Sequence, residues 1–454
     1  MTAENHGKHR LAGLRSSSLL VVGALVALAS TGASSATADS RPEAPAIVAV
    51  AGDLDPTFGG DGMITTDLGP EGDGANAIAI QPDGKIVVAG EASFGAEFGL
   101  ARYNSNGTLD VTFGEDGRVT SDLSPSFGAY AVAIQADGKI VSASGGRRFV
   151  LVRYDSDGTL DLTFGSGGVA RTNFTPKADV VYAVAIQADG AIVAAGVSGV
   201  LGMFRGDPKV AVARYMADGT LDATFGTDGR VTTNFTRTDD RAFAAAIQAD
   251  GRIVVAGGAS AYKDFALARY NPDGTRDSSF GGDGRVTTSF TPRGHSEFAT
   301  AIAVQGDGKI VAAGVPAIDV AFALARYNVD GTLDSMFGGN GRVTTDFLTR
   351  HDLAHTGGWA RGVAIQDDGK IVAAGGSAVG LGGDTEFALA RYNADGTLDP
   401  TFGGDGRVTT EWTTEDNDSA FAVAIQTDGK IVVAGTAAYF GPDATFALAR
   451  YLAA

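Results

Sequence analysis

The chain of 454 residues has no cysteine, 65 glycines and 53 acidic against 35 basic side chains, for a formal charge of −18 at pH 7. Disulfides, thiolate nucleophiles and cysteine-ligated metals are thereby excluded, so stability has to come from packing. So acidic a surface is also a poor match for nucleic acid and for anionic lipid.

Lys8, Arg10 and Arg15 precede an apolar run from Leu19 to Ala29, and the small-residue tract STGASSATADS follows it. That order predicts a secretory signal peptide over residues 1–38, with Ala36 and Ala38 setting cleavage before Asp39. The run falls short of the roughly 20 apolar residues a bilayer-spanning helix needs, so the expected destination is secreted or extracytoplasmic, with no membrane span. Removing the leader takes away three basic side chains and one acidic one and leaves a formal charge of −20. Residues 39–52 read as a short linker.

From Asp53 onward the chain repeats itself. The element GTLDxTFG or a close variant ends at Gly59, Gly114, Gly165, Gly226, Gly281, Gly338 and Gly403. AxAIQxDGKIVxAG carries its glutamine at Gln81, Gln135, Gln187, Gln248, Gln305, Gln366 and Gln426, and FALARY ends at Tyr103, Tyr154, Tyr215, Tyr270, Tyr327, Tyr392 and Tyr451. A period of this length signals a repeat architecture.

Each copy holds four runs rich in Val, Ile, Phe, Tyr and Thr, bounded by Gly, Asp or Asn, which predicts four strands. In the second full copy these are AYAVAIQ (129–135), KIVSASG (139–145), RFVLVRY (148–154) and GVARTNF (168–174). The x-Asp-Gly between the first two is a hairpin signal, so each unit reads as an antiparallel meander A, B, C, D. Seven such units predict an all-β fold, a seven-bladed β-propeller of four-stranded blades over residues 53–454. A solenoid would need end caps, and none is visible. The chain opens with a lone D strand at Gly62–Leu68 and finishes on A, B and C. The first strand is therefore expected to complete the last blade and close the ring.

The lines LDPTFGGDGRVTT, AIQPDGKIVVAG and FALARYNSNGTLD resemble the delta-60 repeat family of secreted bacterial proteins. The resemblance implies a β-propeller and export, and it brings no catalytic motif. Copy two departs from the pattern at Ser142 to Gly145, and copy three has Ala191 where lysine is usual.

A residue that recurs in every blade holds the blade rather than building one site. Asp55, Asp110, Asp161, Asp222, Asp277, Asp334 and Asp399 recur after Leu or Arg; Arg102, Arg153, Arg214, Arg269, Arg326, Arg391 and Arg450 recur before Tyr. Each arginine shares a strand face with Phe and Leu, enters a blade interface and needs a carboxylate, for which the nearby aspartate is the expected partner.

Catalytic constellations do not emerge. The acidic turn YDSDGTLD (154–161) lacks the length and glycine position of a helix-loop-helix calcium site, and HDLAH (351–355) lacks the metalloprotease glutamate. No cofactor, catalytic residue or metal site is therefore expected. The RGD at 205–207 is a chance tripeptide in a chain this rich in Gly and Asp.

The best pointer to function is loop length. The A–B and C–D turns lie on one rim and are nearly constant. On the other rim, the distance from the glycine ending strand B to the tyrosine ending strand C runs 13, 9, 19, 13, 13, 17 and 16 residues. Variable loops on a rigid scaffold are where binding concentrates. Candidate binding residues on this rim are Phe204, Arg205, Tyr262, Lys263, His295, His351, His355, Trp359, Arg361, Tyr439 and Phe440. The expected function is a monomeric, non-catalytic binding scaffold for an extracellular glycan, peptide or protein, and the alternative is an extracellular hydrolase or lyase acting on polysaccharide.

Overall fold

The computed structural model describes residues 49–93, 97–123, 128–200, 207–291, 296–316, 321–347, 358–378, 384–412, 417–439, 441 and 443–453. The expected signal peptide and most of the expected linker lie outside these. Among the described residues, 28 strands form seven four-stranded antiparallel sheets. The first blade is A Gly74–Ile80, B Ile86–Ala92, C Glu97–Tyr103 and D Arg118–Ser121. The A strands pack side by side in chain order, and that of the last blade returns to that of the first, so the sheets form a closed ring around a central channel. No helix of the described residues is long and apolar enough to cross a membrane.

The A–B turns show why Asp-Gly recurs. In the second blade the Gln135 amide donates to the Lys139 carbonyl and Gly138 donates back to Gln135. Gly138 takes φ of 85°, a left-handed conformation that other residues adopt only with strain.

Closure joins the two ends of the repeat region. The N-terminal strand D, Met63–Thr66, pairs with Thr445–Tyr451, setting Met63 opposite Ala449 and Thr66 opposite Phe446. The joint also begins earlier than the expected boundary at Asp53. Gly52 donates to the Leu452 carbonyl at 2.9 Å, Leu452 donates back to Asp53, and buried Ala51 accepts a bond from Gly403 of the sixth blade. Residues 49–52 thus complete the C–D turn of the seventh blade and are not linker.

The core consists of seven separate blade interfaces. Between the fourth and fifth blades, Phe265, Leu267 and Phe280 meet Ile310, Ala312, Ala323 and Tyr327, all fully buried or nearly so. FALARY therefore works on both faces: its Phe and Leu pack against the next blade and its Tyr against the previous one. There the buried hydroxyl finds a D-strand hydroxyl, as Tyr327 does with Thr288 at 2.9 Å.

The arginines lie in the same interfaces. Nε of Arg102, Arg153, Arg214, Arg269, Arg326 and Arg391 donates to Asp110, Asp161, Asp222, Asp277, Asp334 and Asp399 at 2.7–2.8 Å, and Nη2 of Arg450 lies 2.9 Å from Asp55. Each guanidinium also covers the phenylalanine of its TFG element, 4.6 Å from the Phe280 centroid for Arg269, and reaches a carbonyl of the next blade's C–D turn, Val329 in that case. A cation from strand B adds a third partner, Lys309 lying 3.0 Å from Asp334 and Arg252 lying 2.9 Å from Asp277. Asp222 lacks one because Ala191 stands where the lysine would be.

Burial alone would raise these carboxyls. The Thr57 and Lys430 bonds and the Arg450 charge outweigh it and hold Asp55 at about 2, and equivalent partners hold the other six below the usual carboxylate range. A carboxyl whose folded pKa is depressed adds stability above its unfolded value of about 4 and loses it as pH falls through the folded value. The thermal midpoint should hold level from neutrality to about pH 5 and drop steeply between about pH 4 and 2. Calorimetry across that range tests this, and a midpoint indifferent to acid would remove the aspartates from the stability account.

Candidate functional site

Strand A is not regular in most blades. In six of them a β-bulge inserts one residue, so that two residues of strand A oppose one of strand B. In the first blade Ala75 pairs with Gly90 and Ala77 with Ala89, leaving Asn76 unpaired. The same skip falls at Tyr182, Phe243, Thr300, Arg361 and Phe421. The second blade lacks the register shift, but its Tyr130 stands at the matching position just before strand A. A bulge re-aims its side chain. Here these side chains meet around one cavity of about 400 Å³ at one end of the channel, lined by Asn76, Glu91, Tyr130, Tyr182, Phe243, Phe298, Thr300, Arg361, Phe421 and Tyr439.

Strand B makes the bulge possible. A Cβ on Gly90 would stand 1.9 Å from the Gly74 carbonyl oxygen, and one on Gly375 would stand 1.9 Å from that of Trp359. The glycine of IVxAG is therefore space for the bulged backbone. In the second blade Ser144 replaces it, and its hydroxyl donates to the Gly128 carbonyl at 2.8 Å.

Buried acids anchor the loops above this ring. Asp179 accepts from the amides of Phe174, Thr175 and Gly199, and Asp240 from those of Phe235, Thr236 and Ser260. Asp73, Glu297 and Asp418 bind D–A loop amides in the same way. Each ties the D–A connection to the start of strand A, and four of them, Asp73, Asp179, Asp240 and Asp418, also accept an amide at the end of strand B, so much of the variable rim is braced from below.

The cavity wall has two aromatic arcs. Tyr130, Tyr182 and Phe243 follow one another with centroids 5.5 and 5.1 Å apart; Phe298 and Tyr262 extend the arc, Tyr262 lying 5.3 Å from Phe298. Across the ring Phe421 and Tyr439 stand 5.5 Å apart, with the Arg361 guanidinium 5.5 Å from the Phe421 centroid and 6.0 Å from that of Trp359. Burial, and then the neighbouring Tyr182 and Glu91, pushes the Tyr130 phenol up to about 12. Burial, followed by the charge of Asp73, raises the Glu91 carboxyl above its ordinary value. The phenols are therefore hydrogen-bond donors at neutral pH.

Of the residues expected on the rim, Tyr262, Trp359, Arg361 and Tyr439 come together at this mouth, while Lys263 is exposed. Phe204, Arg205, His295, His351, His355 and Phe440 lie outside the described residues. Sequence reasoning missed Asn76, Tyr130, Tyr182, Phe243, Thr300 and Phe421. Their signal is positional: each stands five residues before the repeated glutamine, at a position that varies between flanking residues that are almost all alanine. Two larger crevices, of about 620 and 690 Å³, lie beside the outer strands. Their walls hold residues that most blades repeat, such as Arg230 and Arg118, whose position is arginine in five of the seven blades, so they do not distinguish one place on the ring.

Seven sheets closed by the N-terminal strand, with non-repeating side chains gathered at one end of the channel, define a β-propeller with a mouth of small-molecule size. The chain belongs to the family described as "Domain of unknown function (DUF5122) beta-propeller", whose model matches residues 81–113, 135–164, 187–225, 248–280, 305–337, 366–402 and 426–453. A comparison with curated proteins finds no match. Among solved structures, virginiamycin B lyase from Staphylococcus aureus is 10% identical, with 85% of this chain and 98% of that chain covered and a TM-score of 0.47. A protein from Lactobacillus plantarum is 14% identical over 81% of this chain and 91% of that chain, with a TM-score of 0.44. Polysaccharide lyase Uly1 is 12% identical over 86% and 91%, with a TM-score of 0.43. At these identities and scores the likenesses say nothing about activity.

Proposed function

We propose that this protein is a secreted, monomeric, non-catalytic binding module that takes a glycan, peptide or protein segment into the channel mouth, and that its blades belong with the delta-60 repeats. The observation that carries this reading is the set of bulges. A scaffold that repeats its other strand positions almost unchanged presents five kinds of side chain from its seven blades at this one position, and those side chains face a common cavity. The wall combines flat aromatic faces with a few polar groups, the composition that suits small-ligand and sugar-ring binding.

Glu91 favours a second reading, an extracellular hydrolase or lyase acting on polysaccharide. Its carboxyl is held above the ordinary range beside Tyr130 and Tyr439, as a general acid requires. It is the only carboxylate among the residues lining the cavity, whereas glycoside hydrolysis ordinarily uses a pair.

Screening the purified protein against glycan and peptide arrays tests both readings. The best hit should lose about 2 kcal/mol, roughly thirtyfold in affinity, on Phe243→Ala, with the far-ultraviolet spectrum unchanged. A hit that binds Phe243→Ala as well as the parent would place binding elsewhere. A bound polysaccharide that is shortened on incubation, and spared by Glu91→Gln, would establish the enzyme.

A further inference from the structure

The two guanidiniums at the channel mouth are treated differently. Arg241 is gripped by both oxygens of Asp239, at 2.8 and 2.7 Å, and lies 5.3 Å from the Tyr262 ring centroid. Arg361 has no ion pair and no hydrogen bond among the described residues, and its Nε is buried without a partner. Glu91 lines the same cavity yet does not pair with it. Arg361 is half-buried and an arginine keeps its proton in proteins, so a guanidinium partly withdrawn from water with no counter-ion is destabilising unless an anion joins it. Burial also pulls the Arg361 pKa below its ordinary value. The Phe421 and Trp359 faces offset part of that cost through their π-systems but leave the planar N–H fork unanswered.

We propose that Arg361 seats the carboxylate of a ring-bearing ligand, a uronic acid unit or an aryl carboxylate, whose flat face lies against the Phe421 and Tyr439 arc. This rests on the reading of the channel mouth as the binding site. A carboxylate matches the guanidinium in charge, planarity and bidentate spacing. A phosphate dianion would call for a second cation, and Arg361 is the only one among the cavity's lining residues. The acidity of the rest of the protein selects further against highly charged ligands.

The experiment is calorimetric titration and thermal shift of the purified protein with glucuronate against glucose, benzoate against benzyl alcohol, and methyl sulfate as a tetrahedral monoanion, all at equal ionic strength. At least one carboxylate should bind in preference to its neutral counterpart. Arg361→Met should weaken that binding about ten- to hundredfold, and Arg361→Lys should recover only part of it, because it restores the charge without the fork. Ligand-free Arg361→Met should also melt above the parent, since an unpaired, half-buried charge is replaced by an apolar side chain; a merely structural arginine would make it melt below. The glucuronate and benzoate arms distinguish a sugar acid from an aryl acid. Equal binding of acids and neutral rings would overturn the carboxylate seat and leave the binding mouth standing. Preference for methyl sulfate would overturn it in favour of a sulfate ester. Failure of every acid to bind overturns the seat outright, and if array hits also ignore Phe243→Ala, the reading of the mouth falls with it.

Discussion

Deleting residues 49–66 should abolish cooperative folding of the ring. The segment supplies the fourth strand of the seventh blade, with four residue pairs against Phe446 to Ala449. It also carries Phe58, fully buried in the interface between the seventh and first blades with Ile86, Val88, Tyr103, Val432 and Leu448. Loss of a buried phenylalanine costs about 3–5 kcal/mol, and the ladder bonds contribute about 1 kcal/mol each. Removing Asp55 strands Arg450, which is 4% exposed, and breaking a buried pair costs about 3–5 kcal/mol more. Together these match the entire stability of an ordinary domain, about 5–15 kcal/mol. The deletion variant should lose its near-ultraviolet circular dichroism and its sharp melting transition. A synthetic peptide of residues 49–68, added in excess, should restore both by reoccupying the open edge. A deletion variant that melts at the parental midpoint would mean that the ring does not depend on its joint.

The joint and the blade count were legible because repetition is a long-range signal. Seven copies of FALARY give seven C strands whatever the local propensities, and the lone GMITTDL at the start leaves the last sheet one strand short. The strand ends were less legible: the second copy's A strand is Ala131–Ile134 rather than 129–135, and its D strand is Val169–Thr172 rather than 168–174. At those ends the Ala129 amide bonds to Gly90 of the first blade, the Gln135 amide closes the A–B turn on Lys139 and the Phe174 amide binds the Asp179 carboxylate, partners that composition does not reveal. The early start of the closure was hidden for another reason. Ala51 and Gly52 do the work of an Asn-x-Asp-Gly turn without resembling one, because the turn is split between the two ends of the repeat region.

The channel mouth was half legible. Loop length pointed to the rim on which Tyr262 and Tyr439 stand, and the aromatic and basic content drew in Trp359 and Arg361. The ring of bulged residues was missed because attention to what recurs passes over what varies inside a recurring strand. Tyr182, Phe243 and Phe421 look like ordinary strand aromatics with period two. Only the bulge changes where they point, and its trace in the sequence is the strand B glycine opposite, whose purpose emerges once the Gly74 carbonyl is seen to occupy its Cβ position.

The second large effect is expected at the arginine latch, and it should be asymmetric. Arg391 and Asp399 are 1% and 2% exposed, so neither can be rescued by water. Asp399→Ala leaves the guanidinium with the Thr401 hydroxyl and the Ala453 carbonyl as its polar partners, and an uncompensated buried charge costs about 3–5 kcal/mol. Arg391→Met is milder. The methionine keeps an apolar stem over Phe402, and Asp399 keeps the Thr401 amide at 3.1 Å, the Thr401 hydroxyl at 2.7 Å and Lys370 at 3.6 Å. A loss of about 1–3 kcal/mol is expected there, in the range of hydrogen bonds to charged groups. The double variant should be more stable than Asp399→Ala alone, because removing the stranded cation removes the penalty it carried. Urea unfolding of the three variants measures the coupling directly. An Asp399→Ala variant no less stable than Arg391→Met would mean that the charge pair does not lock these blades, leaving Phe402 and its neighbours to hold the interface by packing alone.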